Sequence, residues 1–155
     1  YLAQCAMRYG YNPEIILAGR RMNDGMGEYV ADQVVKLMLK RGIQVLNAKV
    51  LLLGFTFKEN CPDVRNTKVI DIVKTLQSYN TNVTIYDPWA SPEIVRREYG
   101  VEVTNQLPSE KYDAVILAVA HKDFEKLSVR DLTTDKGVVY DVKGFLKSDE
   151  CDAKL

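Results

Sequence analysis

No single residue class is concentrated enough in this sequence to announce a partner. Lys and Arg number 21, as do Asp and Glu, so the formal net charge is +0. A dedicated nucleic-acid binder would carry a basic excess, which argues against that class of partner. No apolar run approaches the ~18 residues of a membrane span. The longest, Val50–Leu53 and Ala114–Ala120, are strand-sized. The three cysteines, Cys5, Cys61 and Cys151, are odd in number and far apart. They read as reduced thiols of a cytosolic protein, not a disulfide frame, and no CxxC or Cys/His cluster suggests a metal. Histidine occurs once, at His121. Tyr1–Gly10 has neither the charged start nor the apolar core of a signal peptide. The chain opens on Tyr1 instead of Met, inside a helical pattern, and is expected to be a piece of something longer.

What is present is globular. The length of 155 residues is one domain's worth. With 46% hydrophobic and 27% charged residues, a disordered or collagen-like chain is excluded. Leu2, Ala3, Ala6 and Met7 give a first helical face ending near Gly10. Pro13, with Asn12 as cap, starts a short helix through Leu17. Met26, Val30, Val34, Leu37 and Met38 mark a long amphipathic helix over Asn23–Arg41, stopped by Gly42.

Beyond that lead-in the pattern alternates. Strands are expected at Lys49–Phe55, Asn82–Tyr86, Val101–Val103, Asp113–Ala120 and Gly137–Val142. Helices are expected at Thr67–Tyr79 and from Ser91-Pro92-Glu93 to Gly100, with short helical pieces at Asp123–Leu127 and Ser128–Leu132. Buried strands alternating with helices imply an α/β fold, a Rossmann-like three-layer sandwich with a mostly parallel sheet, preceded by a helical segment. The division is expected near Val45–Ala48: residues 1–44 helical, 45–155 the sheet domain.

In such sheets ligands bind outside the carboxyl ends of the strands, at the switch point. That rule singles out the loop after the first strand, Thr56–Asn66. It stands where a dinucleotide fold places its GxGxxG turn, yet the segment Gly54–Thr67 has Gly54 as its one glycine. Instead it offers Lys58 and Arg65, either of which can neutralise phosphate, beside the N-terminus of the next helix. A solvated polar loop turning at Pro62 explains the same composition. Asp87-Pro88 closes the second strand as a ribose-binding acid or as a plain turn initiator. His121 is a candidate acid/base or a satisfied hydrogen-bonding group. Cys61 is a thiol activated by its basic neighbours or a small packed side chain. Arg20-Arg21 are an anion contact or a solvated helix start.

The run GFTFKENCPDVRNTKVIDIV, followed by YDPWA and AVAHKDF, resembles the UDP-glucose/GDP-mannose dehydrogenase family. More narrowly, it is similar to the UDP-N-acetylhexosamine 6-dehydrogenases of bacterial surface-polysaccharide synthesis, including the Vi-antigen type. The resemblance runs from Tyr1-Leu2-Ala3 through Ala18–Asp24 to Tyr140–Gly144. GF-x-FK with a downstream D-x-R is its specific part, and AVAH leans towards N-acetylhexosamine substrates.

The resemblance implies a C-terminal UDP-sugar-binding domain preceded by the tail of a central dimerisation region. It implies a full-length cytoplasmic, homodimeric enzyme that oxidises carbon 6 of a UDP-sugar twice, with two NAD. The family's catalytic cysteine, in GG-x-C, and its NAD-binding GxGxxG half would lie before Tyr1. No catalytic residue is then expected within these residues, and the chain alone is expected to be inert. Carried over by motif, Phe57 and Lys58 would contact the nucleotide sugar. Arg65 would reach the NAD side of the cleft, and Lys143 would stand near the sugar. Two other classes compete. One is a stand-alone nucleotide-sensing module. The other is a phosphoacceptor receiver domain, which needs acids at the end of its first strand, where Leu51–Phe55 has none.

Overall fold

The computed structural model describes residues 1–155. In chain order it contains helices α1 (Leu2–Arg8) and α2 (Glu14–Lys40), strand β1 (Lys49–Leu53), α3 (Val69–Ser78), β2 (Asn82–Tyr86), α4 (Pro92–Tyr99) and β3 (Tyr112–Leu117). Two 3₁₀ turns follow, Lys122–Lys126 and Val129–Leu132, then β4 (Thr133–Asp141) and β5 (Ala153–Lys154). The five strands form one sheet in the order β2-β1-β3-β4-β5, and every pairing is parallel. No helix is long and apolar enough to cross a membrane.

The apolar run of β1 is divided between two cores by the pleat of the strand. Val50 and Leu52 face the larger core, with Val30, Val34 and Met38 of α2 and Val69, Val73 and Leu76 of α3. Leu51 and Leu53 face a second core with Phe124, Val129 and Leu132 of the 3₁₀ turns. The sheet is therefore covered on both faces, which is why its central strands are continuous hydrophobic runs. All four leucine and valine side chains of Val50–Leu53 are 0% exposed. Burial of each contributes about 1.5–3 kcal/mol. The second half of α2 crosses α3 closely. A Cβ built on Gly27 would lie 2.6 Å from Asp71 Cβ, so only glycine allows that approach.

Several expectations change. The short helix over Pro13–Leu17 and the long one after Asn23 are a single helix, α2, which runs through Gly19 and Gly25. Its first turn has no side-chain cap, so Asn12 does not serve as one. Val101–Val103 forms no strand; the segment touches the sheet through one bridge, Thr104 to Tyr86. β4 begins at Thr133, earlier than its apolar run, and bulges before Val138. The sheet also gains the two-residue β5. The helix start at Ser91 has the anticipated form: Ser91 Oγ accepts the Ile94 N–H, Pro92 leads the helix, and Gly100 ends it at φ 69°.

Candidate functional site

The strand order reverses at β1, whose neighbours β2 and β3 lie on either side of it. The loops leaving the carboxyl ends of β1 and β3 diverge there, which is the switch point of an open α/β sheet. A cleft of about 510 Å³ opens at this place, between those loops, α2 and the start of α3. Phe57 and Lys143 line it, together with Asn23 of α2, Thr56, Thr67 and Lys68. Lys143 is exposed and makes no ion pair; only its backbone N–H is engaged, by Asp141 Oδ1 at 2.9 Å. Lys68 escaped the sequence reading. Its ammonium meets Asp24 Oδ1 of α2 at 2.8 Å, and that contact raises its pKa.

The other two cations of the first loop point elsewhere. Lys58 is exposed, without a carboxylate partner, and its Nζ stands 5.5 Å from the centroid of the half-exposed Phe57 ring. Arg65 lines a second cleft, of about 710 Å³, with Asp63, Trp89 and Arg97. Its guanidinium grips Asp63 twice, Nε to Oδ1 at 3.0 Å and one terminal nitrogen to Oδ2 at 2.8 Å. The Arg65 guanidinium beside Asp63 holds that carboxyl down at about 2. The D-x-R motif is thus a local fork in which the acid presents the arginine. The structure brings Phe57 and Lys143 to one cleft and sets Arg65 in another.

Beneath the loop lies a buried polar cluster. Asp87 is 0% exposed. Its Oδ2 accepts the N–H groups of Phe55 at 2.6 Å and Thr56 at 3.1 Å, and Nε2 of His121 stands 3.0 Å away. Its Oδ1 accepts the N–H groups of Trp89 and Ala90 at 2.7 and 3.0 Å. Burial opposes ionisation of Asp87, but the hydrogen bonds from His121, Phe55 and Trp89 outweigh it, and its pKa lies below the ordinary value. With its lone pairs occupied, Asp87 is not a free ribose acceptor. It is the anchor of the β1 and β2 loops. His121 is likewise 0% exposed and fully engaged, the satisfied-group alternative for that residue. Gly54 closes the same turn at φ 93°, with its missing Cβ only 2.5 Å from Val119 Cβ. Val119, in the loop after β3, packs so closely that no side chain fits at Gly54.

The remaining candidates are less engaged. Cys61 is a free, half-buried thiol. Arg20 and Arg21 are exposed on α2 and form no ion pair, as a solvated helix surface would.

Comparison with known proteins places this arrangement. Residues 51–148 match the model described as the UDP-glucose/GDP-mannose dehydrogenase family, UDP binding domain. The chain is 50% identical over 158 residues to a UDP-N-acetyl-D-glucosamine 6-dehydrogenase of Salmonella typhi, and 52% identical to one of Pseudomonas aeruginosa. Each alignment covers 100% of this chain and 37% of the relative, so the chain spans little more than a third of those proteins. A UDP-glucose dehydrogenase from Pyrobaculum islandicum superposes with a TM-score of 0.79 over 99% of this chain and 34% of its own, at 24% identity, a likeness of fold. With its parallel sheet, its switch-point cleft and its GF-x-FK and D-x-R loop, this chain belongs to the UDP-glucose/GDP-mannose dehydrogenase family.

Proposed function

We propose that residues 45–155 form the UDP-sugar-binding domain of an NAD-dependent UDP-N-acetylhexosamine 6-dehydrogenase of surface-polysaccharide synthesis, and that residues 1–44 are the tail of its dimerisation region. The observation that carries this reading is the cleft at the switch point, lined by Phe57 and Lys143. A UDP-sugar carries a dianionic pyrophosphate between two rings. An exposed aromatic side chain, an unpaired ammonium at Lys143 and the N-terminus of α3, where Lys68 makes no side-chain cap and Thr67 Oγ1 takes the Val69 N–H, suit those parts. Lys58, unpaired and beside Phe57, is the further cation that the motif assigns to the nucleotide sugar.

Arg65 is assigned to the NAD side, because it lines a different cleft from Phe57 and Lys143. The turn after β1 differs from a GxGxxG dinucleotide turn in two ways. Asp87 is consumed internally, and Val119 packs against Gly54. NAD would therefore be held mainly by residues outside this chain, with Arg65 contributing one charge.

The apolar side chains left exposed on and beside α1 and on the first half of α2 support a homodimeric enzyme in which this segment is covered. They include Leu2, Tyr9, Ile15 and Met22. The chain is expected to bind UDP-N-acetylglucosamine without reducing NAD. Calorimetry and NADH absorbance check the two halves of that statement. Lys58→Ala is expected to weaken binding by about 1–3 kcal/mol, the loss of a charge-assisted contact. Unchanged affinity rejects Lys58 as a ligand, and turnover by this chain rejects the absence of catalytic groups.

A further inference from the structure

The molecule's one histidine is enclosed on every side, and both of its ring nitrogens point at the loop that carries Phe57 and Lys58. Nδ1 lies 2.9 Å from the backbone nitrogen of Asn60, which donates to it. Nε2 lies 3.0 Å from Asp87 Oδ2 and 3.1 Å from Thr56 Oγ1. The ring is packed between Trp89, nearly parallel at 6.2 Å, and Phe124, edge-on at 5.5 Å.

The protons in this cluster can be assigned from donors and acceptors. An amide N–H aimed at Nδ1 requires a lone pair there, so the ring proton sits on Nε2. That N–H donates to the Asp87 carboxylate. Thr56 uses its own hydroxyl proton on the carbonyl of Lys58, at 2.9 Å, so its oxygen is open to accept from Nε2 as well. A second clasp closes the far side, where Asn60 Oδ1 accepts the N–H of Lys122 at 2.8 Å. Asn60 bends the chain back with φ 57° to reach both. No buried side-chain polar atom is left without a partner.

The consequence for the loop is specific. The residues before and after Phe57-Lys58 are tied to the interior: Phe55 and Thr56 through Asp87, the Lys58 carbonyl through Thr56, and Asn60 through His121. Phe57 N–H is tied to the Asp63 carbonyl at 2.7 Å. The side chains of Phe57, Lys58 and Glu59 are left to face outward. We propose that His121 is a positioning residue for the nucleotide-sugar site. In its neutral Nε2–H form it joins the two ends of the Thr56–Asn60 loop and fixes where Phe57 and Lys58 present themselves. The proposal rests on the reading above that this loop contacts a UDP-sugar. It assigns His121 no contact with substrate.

The test uses the 155-residue chain. Long-range ¹H–¹⁵N spectra of the wild type at neutral pH should show His121 with its proton on Nε2 and a bare Nδ1. A proton on Nδ1 overturns the assignment and the proposal with it. His121→Phe keeps a ring and removes both bonds. Amide exchange of Asn60 and Thr56 should then rise about tenfold beyond any change in global stability, and affinity for UDP-N-acetylglucosamine should fall about tenfold. His121→Asn places an acceptor near Nδ1 and should restore protection of the Asn60 amide. It is also the control should the Phe variant fail to fold, since it leaves one fewer group unpaired.

Wild-type exchange in His121→Phe, or wild-type affinity in a variant whose loop exchanges fast, overturns the proposal. If the wild type does not bind UDP-N-acetylglucosamine but His121→Phe frees the loop, pinning stands and the functional reading fails. If neither effect is seen, both fail.

Discussion

Two regions of this molecule invert the usual rule of apolar inside and polar outside, and they do so in opposite ways. The loop after β1 sits on buried polar groups, Thr56, Asp87 and His121, each at most 1% exposed. The N-terminal segment instead exposes apolar side chains, with Tyr9 86% and Ile15 89% exposed. The buried polar cluster is complete, because every donor in it has an acceptor and every acceptor a donor. The exposed apolar segment is incomplete, because nothing in the chain covers it. A polar group leaves water only if its hydrogen bonds are replaced, so the first region carries its own solution within the fold. The second gains nothing until another surface removes its side chains from water.

The sharpest way to break this comparison is Asp87→Ala. It strips the acceptor from four backbone N–H groups and from His121 at once. A loss of about 3–5 kcal/mol in urea unfolding is expected, as for a broken buried pair. A loss below about 1 kcal/mol would mean that water replaces the carboxylate and that the cluster is not closed.

Gly54→Ala comes next, because it sets a methyl against Val119 at a φ of 93°. About 2–4 kcal/mol is expected from overpacking and left-handed strain together.

Acid should act on the carboxylates here and beside β5. The carboxyl of Asp152, like that of Asp87, is disfavoured as an ion by burial but stabilised more strongly by hydrogen bonds, here chiefly from Arg130. A carboxylate with a depressed folded pKa contributes its full stability above the unfolded value and loses it as pH falls through the folded one. Thermal unfolding midpoints should therefore hold near neutrality and drop below about pH 4. A midpoint that rises on acidification contradicts the assignment of both acids as ionised anchors.

The smallest effect sharpens the other half. Ile15→Glu on the exposed face of α2 should change stability by no more than about 0.5 kcal/mol. It should, however, lower any self-association seen by sedimentation. A large loss of stability would show that this face is already packed.

Much of the fold was legible because its signals are local. NVTIY gave β2 to the residue, and Ser91-Pro92-Glu93 with Gly100 bounded α4, since caps and alternation act over a few neighbours. The errors lie where the cause is distant. A single continuous α2 replaces the separate helices expected through Leu17 and over Asn23–Arg41. β5 has no pattern at all. It is seated by Asp152, whose carboxylate receives Arg130 twice at 2.8 Å, the Val139 N–H at 2.7 Å, and Arg41 from the end of α2.

The candidate site divides in the same way. Phe57, Lys58, Arg65 and Lys143 were named by motif; the structure brings Phe57 and Lys143 to the switch-point cleft and sets Arg65 in another. Lys68, which lines the first cleft, was not named, because a lysine at a helix start carries no signal until Asp24 meets it.

Composition and periodicity by themselves determined a neutral α/β domain with a parallel sheet, and one loop rich in cations where a glycine turn would otherwise stand. Those properties follow from hydrophobic alternation and turn chemistry, which any short window of sequence contains. Only the tertiary structure decided what Asp87 and His121 are. Each had two readings, and the choice depended on whether water or protein occupies their lone pairs. Apart from Trp89 and Ala90, which adjoin Asp87, residues 31 to 65 positions away in the chain supply those partners. No local pattern contains that distance, and the fold alone brings the two strand ends together.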